Sequence, residues 1–268
     1  MMSRMIICLF CLSVFWGCDN TNLDLAAEAG IDIIKVATLS EKKIKILAAR
    51  ASKQSDLKNS IAGIQNPYAI RLEKLVGDKY NSNGYVFDFK VYLSPEINAF
   101  AMADGTIRIY SGLMDMMNDE EVLFVVGHEM GHVVEKHIKK KIMLAYAASA
   151  VRKGIASQEN MAGDVARSFL GEFAQILLNA QFSQAEEKEA DDFGILFLKN
   201  HGFDINAAIS ALKKLDGLGK NHSFLSSHPD PALRAERLQK QIALPGKIES
   251  PSSLDKLIAS IIRLFSRG

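Results

Sequence analysis

The chain has 268 residues, of which 48% are hydrophobic and 24% are charged. These fractions match those of soluble globular proteins, and they exclude a largely disordered chain and a polytopic membrane protein. The 32 basic and 31 acidic residues almost cancel, so the chain lacks the positive excess that attracts nucleic acid. We therefore expect no nucleic-acid partner.

The three cysteines, Cys8, Cys11 and Cys18, all lie in the first 18 residues. The absence of any later thiol excludes an intramolecular disulfide, a cysteine-based zinc site and a cysteine nucleophile in the rest of the chain. A catalytic or metal site must therefore use other side chains.

Residues 1–18 have the pattern of an export signal. Arg4 precedes an apolar stretch, Met5 to Trp16, which is too short to span a bilayer but suits a signal peptide. Gly17 and Cys18 end it in the manner of a bacterial lipoprotein signal, in which the cysteine is lipidated. We expect a periplasmic protein anchored at Cys18 to the inner or the outer membrane of the cell envelope. An ordinary or uncleaved signal is the alternative.

The following segment, residues 19–80, is predicted to form helices that pack on the core. Its apolar residues recur at helical spacing. Asn66-Pro67 interrupts the pattern, because the residue before proline disfavours the helical region. No residue of this segment indicates chemistry.

Three strands are predicted next. From Tyr85 to Leu93 the apolar residues alternate, which indicates a half-buried strand. Two shorter runs, Asn98 to Ala103 and Thr106 to Tyr110, are joined by Asp104-Gly105, a strong hairpin signal. We predict a small antiparallel meander in which one edge strand is left open.

A buried helix is predicted to begin at Asn118 or Asp119, with three acidic residues in its first turn, where the helix dipole favours negative charge. The helix is too apolar for a surface position. Gly127 and Gly131 each cost about 1 kcal/mol in a helix relative to alanine. They indicate the close approach of another backbone.

This helix carries the motif His128-Glu129-Met130-Gly131-His132. Histidines four residues apart share one helical face and can bind a single zinc ion. Glu129 is placed to take a proton from the attacking water. The alternative is a pair of surface histidines on an ordinary helix, against which the apolar preceding turns argue.

A catalytic zinc site needs a third protein ligand. The metzincin pattern requires His at position 138 and Gly at 135, where this chain has Ile138 and Glu135. His137 is expected on the opposite side of the helix. A carboxylate from a second helix is therefore the expected third ligand.

Ser183 can cap a helix on which Glu187 and Asp191 lie four residues apart on one face. One of these carboxylates can bind zinc, while the other accepts a hydrogen bond from a ligand histidine and fixes its tautomer. A solvated acidic helix start is the alternative interpretation.

Five segments of the chain form a recognisable order: Asn98 to Gly105, Tyr110 to Leu113, Gly127 to His132, Phe182 to Asp192, and His228-Pro229 followed by Arg234. The same order is seen in the HtpX-like zinc endopeptidases, peptidase family forty-eight. Over roughly residues 85–238 the chain most resembles the periplasmic BepA-like and LoiP-like branch, and LoiP-type lipoproteins in particular.

The resemblance implies that His128, His132 and Glu187 bind one zinc ion per chain. It also implies that Glu129 is the catalytic base and that Asp191 supports the ligands from outside, and we assign Arg234 to the same supporting layer. The expected fold is α+β, a mainly helical zincin-type (gluzincin-like) domain with a small antiparallel sheet beside the HExxH helix. We place this domain at residues 81–245. Residues 246–268 are expected to form an amphipathic helix that lies on a membrane surface or packs on the domain.

His228 lies in a predicted loop before a helix, with Asp230 as its cap and Pro231 at its first position. Three interpretations are open: a surface residue, a transition-state donor, or a fourth zinc ligand. In BepA-like relatives the matching histidine plugs the zinc site, and this resemblance favours the third interpretation.

The resemblance further implies proteolysis in envelope quality control, with unfolded or misassembled envelope proteins as substrates. Other envelope proteases or assembly machinery are candidate partners. A zinc-containing chaperone or assembly factor with little proteolysis is the alternative. We expect the substrate to add a strand to the open sheet edge through main-chain hydrogen bonds; plain core packing of Phe100 and Met102 is the alternative. The expected binding residues are Asn98, Ala99, Phe100, Ala101 and Met102.

Overall fold

The computed structural model describes residues 40–77, 81–82, 85–142, 181–219 and 222–243. The predicted signal with Cys18 and the predicted helix at 246–268 lie outside these residues. None of the described helices is both long enough and apolar enough to cross a membrane.

In chain order the elements are α1 (Glu41–Lys58), α2 (Pro67–Val76), β1 (Asn81–Ser82), β2 (Tyr85–Val86), β3 (Asp88–Tyr92), β4 (Ala99–Ala101), β5 (Thr106–Tyr110), α3 (Ser111–Met116), α4 (Asp119–Val134), α5 (Gln184–Asn200), α6 (Asn206–Gly217), α7 (Ser223–Ser227) and α8 (Pro231–Ile242).

Helices α4 and α5 form the centre of the described core. A β-carbon built on Gly131 would lie 3.0 Å from the Cα of Ala190, and one on Gly127 would lie 3.1 Å from the Cα of Gly194. The predicted close approach of a second backbone is therefore confirmed, and that backbone belongs to α5. Helix α6 packs against both α4 and α8.

Helix α4 begins as predicted. The Asn118 side chain accepts a hydrogen bond from the Glu121 N–H at 2.9 Å, and the Glu121 carboxylate accepts one from the Asn118 N–H at 2.8 Å. This reciprocal cap satisfies two N–H groups that the helix itself leaves free. From Glu121 to Val134 every side chain of the helix is buried.

The sheet is mixed, so the predicted antiparallel meander is wrong. The hairpin at Asp104-Gly105 is confirmed, because β4 and β5 pair antiparallel and Gly105 has a φ of 97°. Strand β5, however, is central, and β3 runs parallel to it with Asp88 opposite Thr106 and Tyr92 opposite Tyr110. Mostly helical architecture with a small sheet is confirmed.

The chain reaches this topology by crossing over the end of β5. The Gly112 N–H donates to the Ser94 carbonyl at 2.9 Å, and the Ser111 hydroxyl donates to the same carbonyl at 2.9 Å. A β-carbon on Gly112 would lie 2.3 Å from the Pro95 carbonyl oxygen. Glycine thus lets the segment after β3 pass over the start of α3, which places β4 on the far edge of β5. Alternation of apolar residues is the same for either strand direction and did not reveal this crossing.

Helix α1 is joined to the sheet by ion pairs around the buried guanidinium of Arg108. Its nitrogens lie 2.8 and 3.0 Å from the two carboxylate oxygens of Asp56 and 2.8 Å from a carboxylate oxygen of Asp88. The Tyr92 hydroxyl donates to Asp56 at 2.7 Å. Burial alone raises the pKa of Asp56, but these donors hold it below its ordinary value. The network anchors helix α1 to the sheet.

Candidate active site

Helix α4 brings the two motif histidines together. His128 and His132 are fully buried, and their Nε2 atoms lie 3.1 Å apart. Burial lowers the pKa of His132 well below its ordinary value, so this ring is neutral. Two buried ring nitrogens directed at one point form a metal-binding pair rather than a surface pair.

Helix α5 brings the predicted carboxylate to the same point. The helix begins at the predicted cap, Ser183, whose hydroxyl accepts a hydrogen bond from the Glu186 N–H while the Glu186 carboxylate accepts one from the Ser183 N–H. One turn further on, buried Glu187 places its Oε1 atom 3.5 Å from His132 Nε2 and its Oε2 atom 3.6 Å from His128 Nε2.

His228 completes a set of four donors. Its Nδ1 atom lies 3.2 Å from His128 Nε2 and 3.1 Å from Glu187 Oε1. The donor atoms of His128, His132, Glu187 and His228 all lie within 4.8 Å of one another. Zinc with bonds of about 2.0–2.1 Å holds tetrahedral ligands about 3.3–3.4 Å apart. The four donors therefore fit a tetrahedral zinc ion.

Asp191 lies behind His128, as the helical spacing predicts. Its Oδ1 atom is 3.0 Å from His128 Nδ1, and the Arg234 guanidinium contacts both of its oxygens at 2.6 and 3.0 Å. Burial alone raises the pKa of Asp191, but the Arg234 charge and the His128 contact lower it to about 2. An ionised Asp191 accepts the Nδ1 proton and leaves the Nε2 lone pair of His128 free for a metal.

Arg234 also pairs with Glu187, the third donor. Its Nη1 atom lies 2.5 Å from Glu187 Oε2. Burial alone raises the pKa of Glu187, whereas Arg234 and His228 more than offset this and hold the pKa well below its ordinary value. From its position on α8, Arg234 thus keeps Glu187 and Asp191 ionised.

Glu129 faces the donor set without belonging to it. Both carboxylate oxygens are buried, and neither has a hydrogen-bond partner among the described residues. The Nε2 atom of His228 lies 3.4 Å from Glu129 Oε1. A buried carboxylate without donors is costly, and its retention here indicates a group that works on a bound molecule.

Several residues near His132 were missed from the sequence. The Phe182 ring stacks on His132 with centroids 3.7 Å apart, and the Lys141 ammonium lies 3.8 Å from the Phe182 centroid. Burial lowers the pKa of Lys141 to about 8. Phe182 directly precedes Ser183, the cap of α5. Its position next to the cap of the helix that carries Glu187 is the sequence signal that could have identified it.

The expected position of His137 is wrong. Helix α4 ends at Val134, and Lys136 has a left-handed φ of 63°, so the chain reverses before a second helical segment begins at residue 137. His137 Nδ1 therefore lies 3.0 Å from His132 Nδ1. His137 is not among the four converging donors, in agreement with its exclusion as a ligand.

The loop that carries His228 is fixed on both sides. The Phe224 ring stacks on His228 with centroids 4.3 Å apart, and the Phe182 N–H donates to the Ser227 carbonyl at 3.0 Å. Pro231 occupies the first position of α8 as predicted. Asp230 stands at the cap position, but its backbone is left-handed, with a φ of 55°, and its side chain makes no capping hydrogen bond.

Strand β4, the expected substrate strand, lies at an edge of the described sheet. Ala99, Ala101 and Met102 are buried, and Asn98 and Phe100 are half-buried. Bonds to β5 use the Asn98 carbonyl and the Met102 N–H. By the two-residue period of an antiparallel pair, the main-chain groups of Ala99 and Ala101 face the outer edge.

Comparison with known proteins agrees with this site. Residues 69–242 match the model of peptidase family M48. The metalloprotease LoiP of Escherichia coli K12 is 36% identical over 245 residues, which cover 90% of this chain and 97% of the relative. The metalloprotease YcaL of the same organism is 38% identical over 234 residues, covering 85% of this chain and 92% of the relative.

A more distant relative extends the comparison. The β-barrel assembly-enhancing protease of Yersinia pestis is 28% identical over 198 residues, which cover 68% of this chain and 40% of the relative. The match to the family model, residues 69–242, includes every member of the donor set and Glu129. The resemblance inferred from the motifs is confirmed, and the chain belongs to peptidase family M48.

Proposed function

We propose that the protein is a zinc-dependent endopeptidase that cleaves unfolded or misassembled proteins of the bacterial cell envelope. Membership of peptidase family M48 makes it a metallopeptidase with protein substrates. The observation that carries the zinc assignment is the convergence of three imidazoles and one carboxylate on one point beside Glu129. Nitrogen and carboxylate donors in this number are the usual set for zinc.

In the proposed mechanism His128, His132 and Glu187 hold the metal. Bound zinc supplies Lewis acidity, which polarises a carbonyl group and lowers the pKa of water. Glu129 takes the proton of the attacking water and then delivers it to the leaving amine. Asp191 and Arg234 keep His128 and Glu187 in their binding forms through the contacts described above.

The first prediction separates metal binding from catalysis. The mature protein should bind one zinc ion and cleave denatured casein, and a chelator should stop cleavage. Glu129→Gln should retain the zinc and lose activity about 10²–10⁴-fold, because it cannot accept the proton. Glu187→Ala should lose the zinc, whereas Glu186→Ala, the same charge change one residue earlier, should keep it. Undiminished cleavage by Glu129→Gln would refute the mechanism.

We further propose that His228 holds most molecules of the resting enzyme in an inactive form. Its Nδ1 atom occupies the fourth donor position, and its Nε2 atom lies beside Glu129. A fully ligated zinc has no open position for water, and the same ring covers the catalytic base. Its stacking on Phe224 favours this inward orientation.

His228→Ala should therefore raise casein cleavage and self-cleavage. If the open form makes up a tenth of the molecules or less, the rise should be about tenfold or more. The double variant with Glu129→Gln should be inactive, which would show that the new activity uses the same site. A fall in activity with zinc retained would instead make His228 a donor in catalysis, and an unchanged rate would assign it no role.

We also propose that the substrate adds a strand to the outer edge of β4. The main-chain groups of Ala99 and Ala101 face away from β5, and of these the Ala99 N–H donates to the Asn98 side chain at 2.9 Å. The Phe224 N–H donates to the Ile97 carbonyl at 3.2 Å, so β4 starts beside the loop that carries His228. The Phe100 ring packs near Tyr92 and Tyr110, so its side chain contributes to the packing of the sheet. Main-chain recognition gives affinity with little demand on sequence, which suits substrates that are unfolded.

Ala101→Pro removes one outward N–H while the bonds to β5 remain. We expect kcat/KM for casein to fall about tenfold, the effect of one or two lost hydrogen bonds, with zinc content and thermal unfolding unchanged. Phe100→Pro, which removes an inward N–H, should instead lower the unfolding temperature. If Ala101→Pro folds, binds zinc and cleaves at the parent rate, the substrate binds elsewhere.

The proposed location in the envelope rests on the signal pattern that ends at Cys18. Cys18→Ser should move the protein from the membrane fraction to the soluble periplasmic fraction, because a single lipid anchor is lost. Cys11→Ser, a thiol removed inside the signal, should leave membrane attachment unchanged. Membrane association of Cys18→Ser equal to that of the parent would contradict the anchor.

A further inference from the structure

His132 contacts a second histidine on the side that faces away from the donor set. The chain reversal at Lys136 folds His137 back against the end of α4. His137 is fully buried, and its Nδ1 atom lies 3.0 Å from His132 Nδ1. The left-handed φ of Lys136 is uncommon for a residue other than glycine, so the reversal that creates this contact has a conformational cost.

The second nitrogen of His137 meets a carboxylate from α5. His137 Nε2 lies 2.8 Å from Glu189 Oε2. Glu189 stands midway between Glu187 and Asp191 in the sequence of α5, but its side chain is about half exposed, at 49%. Helix α5 thus supplies one carboxylate to the donor set and two others that lie behind the two motif histidines.

For a neutral His137 ring, the donor and acceptor chemistry of these groups sets the direction of each hydrogen bond. An ionised carboxylate can only accept, so His137 Nε2–H donates to Glu189. The Nδ1 atom of a neutral His137 then carries a lone pair and accepts from His132 Nδ1–H. His132 is left with an unprotonated Nε2 atom, which points at His128 Nε2 at 3.1 Å.

We propose that His137 and Glu189 are positioning residues that fix the tautomer and ring orientation of His132 for metal binding. The inference deepens the proposed function, on whose zinc site it rests. On the His128 side the same positioning role falls to Asp191, a buried carboxylate that contacts His128 directly and is itself paired with Arg234. On the His132 side a neutral ring is interposed, and the charge lies at the surface. Phe182, stacked on His132, fixes the plane of the ring but cannot select its tautomer.

A purely packing role for His137 makes a different prediction. The residue fills a buried position with its ring centroid 5.1 Å from that of His132. If packing alone mattered, leucine would preserve metal binding better than a smaller polar residue. If the acceptor atom matters, asparagine should be the better replacement, because its Oδ1 atom stands at the same number of bonds from the main chain as the histidine Nδ1 atom.

The experiment measures zinc affinity by chelator competition and thermal unfolding of the metal-free protein, neither of which requires proteolysis. His137→Leu should weaken zinc binding about 10–100-fold, the usual effect of losing a partner of a ligand histidine. His137→Asn should bind zinc close to the parent value. Equal affinity of His137→Leu and the parent, or an Asn variant as weak as the Leu variant, would overturn the proposal.

Glu189 is tested with a matched neighbour. Glu189→Ala should weaken zinc binding with little change in metal-free unfolding, whereas Glu186→Ala, which removes part of the α5 cap, should lower the unfolding temperature and leave zinc affinity intact. Because His137 and Glu189 act as one chain, the double variant His137→Leu/Glu189→Ala should bind zinc no more weakly than His137→Leu alone. Additive losses would show that the two residues act separately.

These outcomes also distinguish the inference from the proposed function. A parent protein that binds no zinc refutes the zinc site itself. A parent that binds zinc, with His137→Leu binding it equally well, refutes only the positioning role. Nitrogen-15 spectra of the metal-free protein give an independent result, because they report which nitrogen of His132 carries the proton; the parent should show it on Nδ1, and His137→Leu should lose that preference.

Discussion

The contact between α4 and α5 is the constraint on which the site depends. Glu187 reaches the Nε2 atoms of His128 and His132 only because the two helices approach to backbone contact. Gly127 and Gly131 permit this approach on α4 and Gly194 on α5, where a β-carbon would lie 2.9 Å from the Phe124 ring. Glycine in a helix costs about 1 kcal/mol relative to alanine. These glycines therefore lower the stability of the helices but allow the close approach that positions the ligands.

The same contact concentrates charged side chains in the buried interior. Glu129, Glu187 and Asp191 are buried carboxylates, and they face one buried guanidinium, Arg234, and one buried ammonium, Lys141 beyond the Phe182 ring. Burying unbalanced charge is strongly unfavourable. The three carboxylates exceed the two cations by one negative charge, and a metal cation between Glu187 and the imidazoles offsets that excess. The electrostatics of the pocket and the geometry of its donors therefore both favour a cation.

The sequence predicted the features that depend on local chemistry. The caps at Asn118 and Ser183, the shared face of Glu187 and Asp191, and the hairpin at Asp104-Gly105 each follow from neighbours a few residues apart, and all were found in the structure. The motif order also identified the family. These signals are short-range, so a single sequence contains them in full.

The features that were missed depend on where the chain turns. An ideal helix would carry His137 away from His132, but α4 stops three residues earlier and Lys136 reverses the chain. The parallel pairing of β3 depends on a crossing at Gly112, which only the packed structure displays. Asp230 is a residue type that commonly caps helices, but its left-handed backbone conformation leaves it without a capping hydrogen bond. Residue propensities and spacing do not predict these features, because they depend on tertiary packing.

The backbone around His228 connects the three parts of the site. The Phe182 N–H donates to the Ser227 carbonyl, so the loop is bonded to the residue that leads into α5. The Phe224 N–H and the Ser223 hydroxyl both donate to the Ile97 carbonyl, two residues before β4. A backbone movement that withdraws His228 from the donor set must carry the bonded segments with it or break these bonds. Hydrogen bonds therefore join the segment that supplies the fourth donor to the residue that leads into β4, and a peptide docked on the proposed edge would contact the strand to which this segment is bonded.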